Sequence, residues 1–349
     1  MKRFRVGLSG DFFRDDGSAC FPEFDLAPLQ DREELELIVL DSQPSITAEQ
    51  TADLDALILL LPRVTAESFH AKGRLSLIAR FGVGYDNVDV AACTAHEVAL
   101  VITPEGVRRP VAVSILTLML ALTGKLFVKD ALARRGPTGW AEKTKHNGVG
   151  LVGRTLGSLG VGNIGAELFR LAAPLDMCFI AHDPYCDPAL ARALGVELVG
   201  LENLFRRADV LSINCPLNDA TRHIVNAERL ALMKPSAYLI NTARGPIVDQ
   251  AALTEALAAG RLAGAGLDVF EREPAAADDP LFKLDNVIVA PHALCWTDQV
   301  FAGNGACDVR AALAVMQGTL PEGIVNREIG DSAAWRAKLA AYRQRYGQA

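Results

Sequence analysis

The stretch that decides the fold of this chain is TLGSLGVGNIGAELF, residues 155–169. Its glycines at positions 160, 162 and 165 have the spacing G-x-G-x-x-G. The residues before them predict a short buried strand, and residues 166–172 predict the opening of a helix. A strand, a glycine-rich turn and a helix in this order are typical of a dinucleotide-binding unit. A glycine turn in an ordinary α/β domain is the alternative.

Each glycine has a separate physical role in such a unit. Gly160 permits the tight turn, and Gly162 lets the backbone approach a pyrophosphate without an intervening side chain. Gly165 lets the helix pack closely on the strand. The phosphates then meet unpaired N–H groups at the positive end of the helix dipole.

An acidic residue follows the next predicted strand. That strand covers residues 177–181, and Asp183 lies 23 residues after Gly160. A carboxylate at this spacing is suited to accept hydrogen bonds from both ribose hydroxyls. No Arg that could accommodate a 2′-phosphate follows among residues 184–187. We therefore predict NAD rather than NADP as the cofactor.

Composition favours a soluble protein of two domains. The chain has 349 residues, of which 50% are hydrophobic and 22% charged. Its net charge of −7, without a basic run longer than a pair, argues against a nucleic-acid or membrane surface. The apolar run 111–122 is short for a bilayer span, and the N-terminus lacks a signal-peptide pattern. Seven cysteines without a CxxC pair favour a reducing cytoplasm, and we expect no metal site.

Apolar runs alternate with helical segments along most of the chain. Strands are predicted at residues 4–8, 35–40, 55–61, 75–81, 98–102, 155–159, 177–181, 210–214, 237–241, 264–268 and 287–290. Helices are predicted at 48–52, 66–72, 110–128 and 298–317, and residues 129–150 are predicted to be a helix end followed by a loop. This alternation predicts an α/β fold with parallel sheets and crossover helices.

Arg244, Glu273 and His292 each follow one of the last three predicted strands. Because ligands bind at the carboxyl ends of parallel strands, these three side chains are candidates for one site. Hydride transfer between a carbinol and nicotinamide needs a base for the hydroxyl proton, and histidine has a suitable pKa. A neighbouring carboxylate holds the histidine tautomer, and a guanidinium can bind a substrate carboxylate and polarise a 2-oxo group. Solvated charges and a capped strand end are the structural alternatives.

These motifs together resemble the D-isomer-specific 2-hydroxyacid dehydrogenase family, over about residues 54–326. The resemblance rests on several segments in the family's order: RFGVGYDNVD at 80–89, the glycine motif, ADV at 208–210, PL at 216–217, TRH at 221–223, NTARG at 241–245, GLDVFEREP at 266–274 and PH at 291–292. It implies that His292 is the acid/base, that Glu273 is its partner and that Arg244 binds and polarises the substrate. It also implies that the backbone of Val83 and Gly84 holds the substrate carboxylate.

The same resemblance implies a set of cofactor contacts: Gly160, Gly162, Asn163, Ile164, Gly165, Asp183, Cys215, Pro216, Thr221, Thr242, Ala243, Asp268 and His292. Within this set, Asp268 is expected at the nicotinamide carboxamide. Cys215 and Pro216 are expected on the adenosine side, and Thr242 and Ala243 near the nicotinamide ribose.

The implied architecture consists of two doubly wound parallel-sheet domains. An NAD-binding Rossmann domain covers residues 110–298, and a discontinuous flavodoxin-like substrate domain covers residues 1–109 and 299–349. The family is usually homodimeric, with the cofactor domains forming most of the interface. We therefore expect a homodimer in the cytoplasm that binds a small 2-hydroxy or 2-oxo acid, and no nucleic-acid or membrane partner.

The predicted function is NAD-dependent interconversion of a D-2-hydroxy acid and its 2-oxo acid. An NAD-sensing binding module, similar to corepressors of this fold, is the alternative. The chain departs from the family after His292, where ALCWT replaces the usual small residues. Cys295 and Trp296 are therefore expected close to the pocket, and the identity of the acid stays open.

Overall fold

The structure, a computed structural model, describes residues 3–71 and 73–347. The chain divides into two compact units. Unit 1 comprises Met1–Val107 and Trp296–Ala349, and unit 2 comprises Arg108–Cys295.

The strands are β1 (Phe4–Leu8), β2 (Leu35–Val39), β3 (Ala56–Leu59), β4 (Leu77–Arg80), β5 (Ala99–Ile102), β6 (Thr155–Leu159), β7 (Cys178–His182), β8 (Val196–Leu198), β9 (Val210–Ile213), β10 (Tyr238–Asn241), β11 (Gly264–Leu267) and β12 (Val287–Val289). The α-helices are α1 (Ala27–Gln30), α2 (Ala48–Thr51), α3 (Val90–Ala95), α4 (Pro104–Gly124), α5 (Leu126–Arg134), α6 (Pro137–Glu142), α7 (Asn163–Ala172), α8 (Pro188–Ala193), α9 (Leu201–Arg207), α10 (Ala227–Leu230), α11 (Gln250–Ala258), α12 (Asp298–Met316) and α13 (Ala333–Tyr346).

Both sheets are parallel, and their strand orders confirm the predicted fold class. Unit 1 has the order β2-β1-β3-β4-β5, which is the flavodoxin-like doubly wound order. Unit 2 has the order β12-β11-β10-β9-β6-β7-β8, the Rossmann order with one further strand at the β12 edge. The strand β3 is buried at every position because helices cover both faces of a parallel sheet.

The C-terminal helix α13 completes the core of unit 1. Trp335 is fully buried, and its indole N–H donates to the carbonyl of Ser76 at 2.9 Å. The hydroxyl of Tyr342 donates to Asp55 Oδ1 at 2.8 Å. These contacts join the end of the chain to the strands built from its beginning.

Two predictions about helices were wrong. Residues 66–72 were predicted to be helical, but the structure has only a single 3-10 turn at Ala66–Ser68, and Lys72 lies outside the described residues. The helix predicted at 110–128 starts earlier, at Pro104, and is interrupted at Lys125, whose φ is 53°. A left-handed residue breaks the helical hydrogen-bond ladder, so α5 begins as a separate helix.

The segment 129–150, predicted to be a helix end followed by a loop, contains the rest of α5 and, in addition, the helix α6. Pro137 stands at the first position of α6, where its missing N–H costs nothing. By length and composition α4 could span a membrane, but 67% of its apolar window is buried inside the structure. Leu118 and Leu122 of α4 pack against Gly266 of β11, as a core helix does.

Candidate active site

A histidine and a glutamate form the centre of the candidate site in unit 2. His292 follows β12, and its Nδ1 lies 2.8 Å from Oε2 of Glu273. The other carboxylate oxygen of Glu273 accepts a hydrogen bond from the N–H of Phe270 at 2.9 Å. The carboxylate is thus held on two sides. Because Nδ1 of His292 is engaged, Nε2 is the nitrogen available to exchange a proton with a ligand.

The environment keeps the Glu273 carboxylate ionised. Burial by itself raises the pKa of Glu273, but the hydrogen bonds from His292 and Phe270 outweigh that effect. The positive charges of His292 and Arg244 act in the same direction, so the pKa of Glu273 lies below its usual value. An ionised carboxylate at this position can accept a hydrogen bond from the Nδ1–H of His292.

The loop that carries Arg244 is fixed by an asparagine that the sequence analysis did not single out. Asn241 is buried at the end of β10, and its side chain donates to the Arg244 carbonyl at 2.9 Å. It also accepts from the N–H of Ala243 at 3.0 Å. A Cβ at Gly245 would clash with the Phe270 carbonyl, so glycine allows this loop to approach the loop that leads to Glu273. The feature of the sequence that could have pointed to Asn241 is a polar residue at the end of an apolar strand.

Asp268 supports the segment that follows His292. Its carboxylate is buried and accepts hydrogen bonds from the N–H groups of Ala293 and Leu294 at 3.0 and 3.1 Å. Burial raises the pKa of Asp268 although these hydrogen bonds and the nearby His292 oppose the shift. The expected contact of Asp268 with a carboxamide stays a prediction, since this carboxylate already holds two backbone amides.

The glycine-rich turn between β6 and α7 fits a bound dinucleotide. Gly160 has a φ of +102°, and a Cβ there would lie 2.8 Å from the Asn214 carbonyl oxygen. A Cβ at Gly165 would clash with the Gly160 carbonyl, so only glycine lets α7 pack this closely. At Gly162 a Cβ would meet no atom within 4 Å, which leaves open space in front of the turn. Asn163 and Ile164 form the first turn of α7 behind that space.

Asp183 lies directly beside this turn. Its Oδ2 accepts from the Val161 N–H at 2.8 Å, and its Oδ1 accepts from the Tyr185 N–H at 2.9 Å.

Thr242, which follows β10, has a buried Oγ1 without a hydrogen-bond partner among the described residues, so a ligand hydroxyl could bind to it.

The loop after β9 holds three further predicted contacts. Burial raises the pKa of the Cys215 thiol to about 12, so it stays protonated. The hydroxyl of Thr221 donates to the Pro216 carbonyl at 2.6 Å.

The remaining predicted substrate contacts belong to unit 1. Val83 and Gly84 lie in the loop after β4. Trp296 also belongs to unit 1, and its half-exposed ring packs edge-on against Phe21 and Phe301 at 5.5 and 5.6 Å. Cys295 ends unit 2, and burial raises the pKa of its thiol to about 11.

Two family models match the chain and together cover most of it. The D-isomer specific 2-hydroxyacid dehydrogenase NAD binding domain matches residues 116–293, and the catalytic domain of the same family matches residues 19–201. The chain belongs to this family. The fold and the glycine turn described above agree with that membership, and the family's cofactor, NAD, is the cofactor of this protein.

Curated relatives and solved structures support the assignment over nearly the whole chain. A glyoxylate reductase of Korarchaeum cryptofilum is 36% identical over 313 residues, covering 88% of this chain and 94% of the relative. A D-3-phosphoglycerate dehydrogenase of Methanocaldococcus jannaschii is 38% identical, covering 80% of this chain and 53% of the relative. The D-lactate dehydrogenase of Aquifex aeolicus, solved with NAD and lactic acid, has a TM-score of 0.79 at 26% identity and covers 92% of this chain and 99% of that chain. The protein is therefore an NAD-dependent oxidoreductase acting between 2-hydroxy and 2-oxo acids.

Proposed function

We propose that this dehydrogenase interconverts a D-2-hydroxy acid and its 2-oxo acid through Arg244, Glu273 and His292. The observation that supports these roles most directly is the 2.8 Å hydrogen bond between His292 Nδ1 and Glu273. The charge of Arg244 lowers the pKa of the same carboxylate, so the three groups act on one another electrostatically. An acid/base pair with a neighbouring guanidinium is the set that 2-oxo acid reduction requires.

In the reducing direction, the guanidinium of Arg244 binds the substrate carboxylate and polarises the 2-oxo group. NADH, when bound, supplies the hydride that C2 of the substrate accepts. The Nε2–H of the His292 imidazolium donates its proton to the carbonyl oxygen, which becomes the hydroxyl of the product. Glu273 stabilises the imidazolium before the transfer and holds the neutral tautomer after it. In the oxidising direction His292 takes the hydroxyl proton.

The backbone of Val83 and Gly84 supplies the second support for the substrate carboxylate in this proposal. Among the described residues, neither amide N–H donates to another protein group. Amides without an internal partner, following a glycine, are suited to an anion. The names of the relatives make glyoxylate and the 2-oxo acid related to 3-phosphoglycerate the first substrates to test.

For the cofactor we propose contacts from the glycine turn and from the later strand ends. Gly160, Gly162 and Gly165, with Asn163 and Ile164, receive the pyrophosphate at the N-terminus of α7. Asp183 binds the adenosine ribose, and Cys215, Pro216 and Thr221 border the adenosine. Thr242, Ala243, Asp268 and His292 lie on the nicotinamide side.

We also propose that the protein is a cytoplasmic homodimer joined through unit 2. A groove of about 470 Å³ is lined by α4, α5 and the edge strand β12, including Leu122, Phe127 and Val289. Phe127 and Val289 are 60% and 43% exposed, and exposed apolar patches of this kind mark contact surfaces. Sedimentation of a Phe127→Glu variant should show monomers, whereas Leu320→Glu, at an equally exposed position of unit 1, should leave the dimer intact. A dimeric Phe127→Glu variant would contradict this interface.

The test of the activity is the loss of NADH absorbance with a panel of 2-oxo acids. We expect turnover of at least one short 2-oxo acid and formation of the D-hydroxy product, measured by chiral chromatography. An L-product would contradict the stereochemistry. Binding of NADH without turnover of any panel member would instead favour the NAD-sensing module.

A further inference from the structure

A chain of buried polar groups lies behind the loop that follows β4. We propose that Thr103 and Asn304 are positioning residues for substrate binding. They hold the backbone of Gly82 so that the next two amides, of Val83 and Gly84, keep the orientation that binds the substrate carboxylate. This inference rests on the proposed function, because it uses the assignment of those two amides.

Thr103 forms hydrogen bonds with both backbone polar groups of Gly82. The Gly82 N–H donates to Thr103 Oγ1 at 2.8 Å, and the Thr103 N–H donates to the Gly82 carbonyl at 3.0 Å. The Thr103 hydroxyl in turn donates to Asn304 Oδ1 at 2.8 Å. Thr103 is fully buried and Asn304 is 4% exposed, so water does not replace a lost partner. Asn304 thereby fixes the direction of the hydroxyl, and the hydroxyl fixes Gly82.

The loop needs such support because its first glycine is conformationally permissive. Gly82 has a φ of +130°, a conformation that other residues rarely adopt. The side chain of Arg80 occupies the place of a Cβ at Gly82 and donates to the Phe81 carbonyl. Glycine therefore permits the turn, while the neighbouring polar groups select it from the many conformations that glycine allows.

The position of Asn304 is itself fixed by a close helix contact. Gly106 in the first turn of α4 lies against Asn304 and Gly303 of α12, and a Cβ on Gly106 would clash with Asn304. A Cβ on Gly303 would lie 2.8 Å from the Cα of Gly106. The two backbones therefore touch, and Asn304 cannot move away from Thr103. The buried side-chain amide of Asn304 on α12 has Thr103 as its hydrogen-bond partner, and through Thr103 it supports the loop after β4.

The experiment compares Thr103→Val, which removes only the hydroxyl, with Thr51→Val as a matched control. Thr51 is an equally buried threonine of unit 1 whose hydroxyl donates to the Ser68 carbonyl at 2.7 Å. For Thr103→Val we expect the KM for the 2-oxo acid to rise roughly tenfold. The kcat and the NADH Kd should stay within about twofold of wild type. Thr103→Ser, which keeps a hydroxyl, should have the KM of wild type, and Thr51→Val should also leave the KM unchanged.

Asn304→Leu tests the second member of the chain. It should raise the KM in the same direction, and the Thr103→Val/Asn304→Leu double variant should be no worse than the more affected single variant, because both act on one contact. Independent, additive effects would overturn the idea of a single chain from Asn304 to Gly82.

Amide hydrogen exchange of peptides covering residues 82–84 gives a readout that does not depend on turnover. Exchange should accelerate in Thr103→Val and Asn304→Leu but not in Thr51→Val. Unchanged exchange would overturn the positioning role alone, whatever the activity of the protein. Faster exchange with an unchanged KM would instead overturn the assignment of Val83 and Gly84, and this inference with it. The proposed function itself would be refuted by a different result, namely a wild-type protein that turns over no 2-oxo acid.

Discussion

At the scale of single residues, several side chains of the candidate site hold neighbouring groups in place through hydrogen bonds. Glu273 orients His292 while itself bonded to the Phe270 amide. Asn241 holds the Arg244 loop, and Asp268 holds the backbone after His292. Asn241 and Asp268 are buried, so the two loops of the candidate site are held in place before any ligand arrives.

Replacing His292 by Ala should lower kcat by about 100-fold or more, because the proposed proton donor of the reduction is lost. The NADH Kd, measured by fluorescence titration, should change little. His223→Ala is the matched control, since His223 also pairs with a glutamate, at 2.7 Å from Glu271, and has no role in the proposed proton transfer. If both variants lost activity equally, the role of His292 would be refuted.

Replacing Asp183 by Ala should weaken NAD binding and reduce the preference for NAD over NADP, because the carboxylate beside the glycine turn disfavours a 2′-phosphate. The ratio of kcat/KM for the two cofactors measures the effect. Asp187→Asn removes a nearby charge and keeps the side-chain oxygen that caps α8, so it controls for net charge. A ratio equal to that of wild type would count against the ribose contact.

Sequence reasoning could name Glu273 and His292 because their residue types and order carry chemical meaning. It could not name Asn241, Thr103 or Asn304 as holding residues. An asparagine within a helix or at a strand end is visible in a sequence. Its hydrogen-bond partner is not, because that depends on which loop packs against it.

At the scale of secondary structure, strands were predicted more accurately than helix boundaries. A strand covered on both faces, such as β3, is a continuous apolar run that stands out in the sequence. The helix α6 has only six residues and no strong apolar stripe, so its segment was predicted as loop. The helix α7 begins at Asn163, earlier than predicted, because Gly162 already serves as its N-cap.

The helix α12 carries a buried carboxyl that makes stability depend on pH. Asp308 is fully buried, and neither of its oxygens has a hydrogen-bond partner among the described residues. Burial raises the pKa of Asp308 well above its usual value, and the positive charge of Arg80 opposes this only in part. The folded state therefore keeps a proton that the unfolded chain releases above about pH 4.

It follows that the contribution of Asp308 to stability falls as pH rises from about 4 towards its folded pKa. Asp308→Asn removes the titration and should be more stable than wild type at neutral pH, by roughly 1–3 kcal/mol. The difference should shrink towards pH 4, as measured by urea denaturation across pH. A constant difference at every pH would show that Asp308 does not titrate in this range.

At the scale of the whole molecule, unit 1 is assembled from both ends of the chain, with unit 2 inserted between them. The aromatic side chains of α13 close its core, with Phe4 of β1 packed 5.1 Å from the ring of Tyr342. The long helix after residue 298 was predicted from the sequence and is present as α12, but α13 had no strong periodic signal and was not predicted.

Trp335→Ala should destabilise unit 1 by about 3–5 kcal/mol, since it removes a fully buried indole and its hydrogen bond to Ser76. Urea unfolding followed by circular dichroism measures the loss, and NADH binding at moderate denaturant reports on unit 2 separately. Leu320→Ala, at an exposed apolar position of unit 1, should change stability by less than about 0.5 kcal/mol. Equal effects of the two substitutions would contradict the anchoring role of α13.

The insertion of one unit within the other sets an order for folding on the ribosome. Residues 108–295 emerge as an unbroken segment that already contains all seven strands of its sheet. The five strands of unit 1 emerge before this segment, yet they lack Val315 and Trp335, which belong to their core, until residues beyond the segment have been translated. The apolar surface of residues 3–107 therefore stays uncovered while unit 2 reaches its native form, and we expect chaperones to engage these residues during that interval.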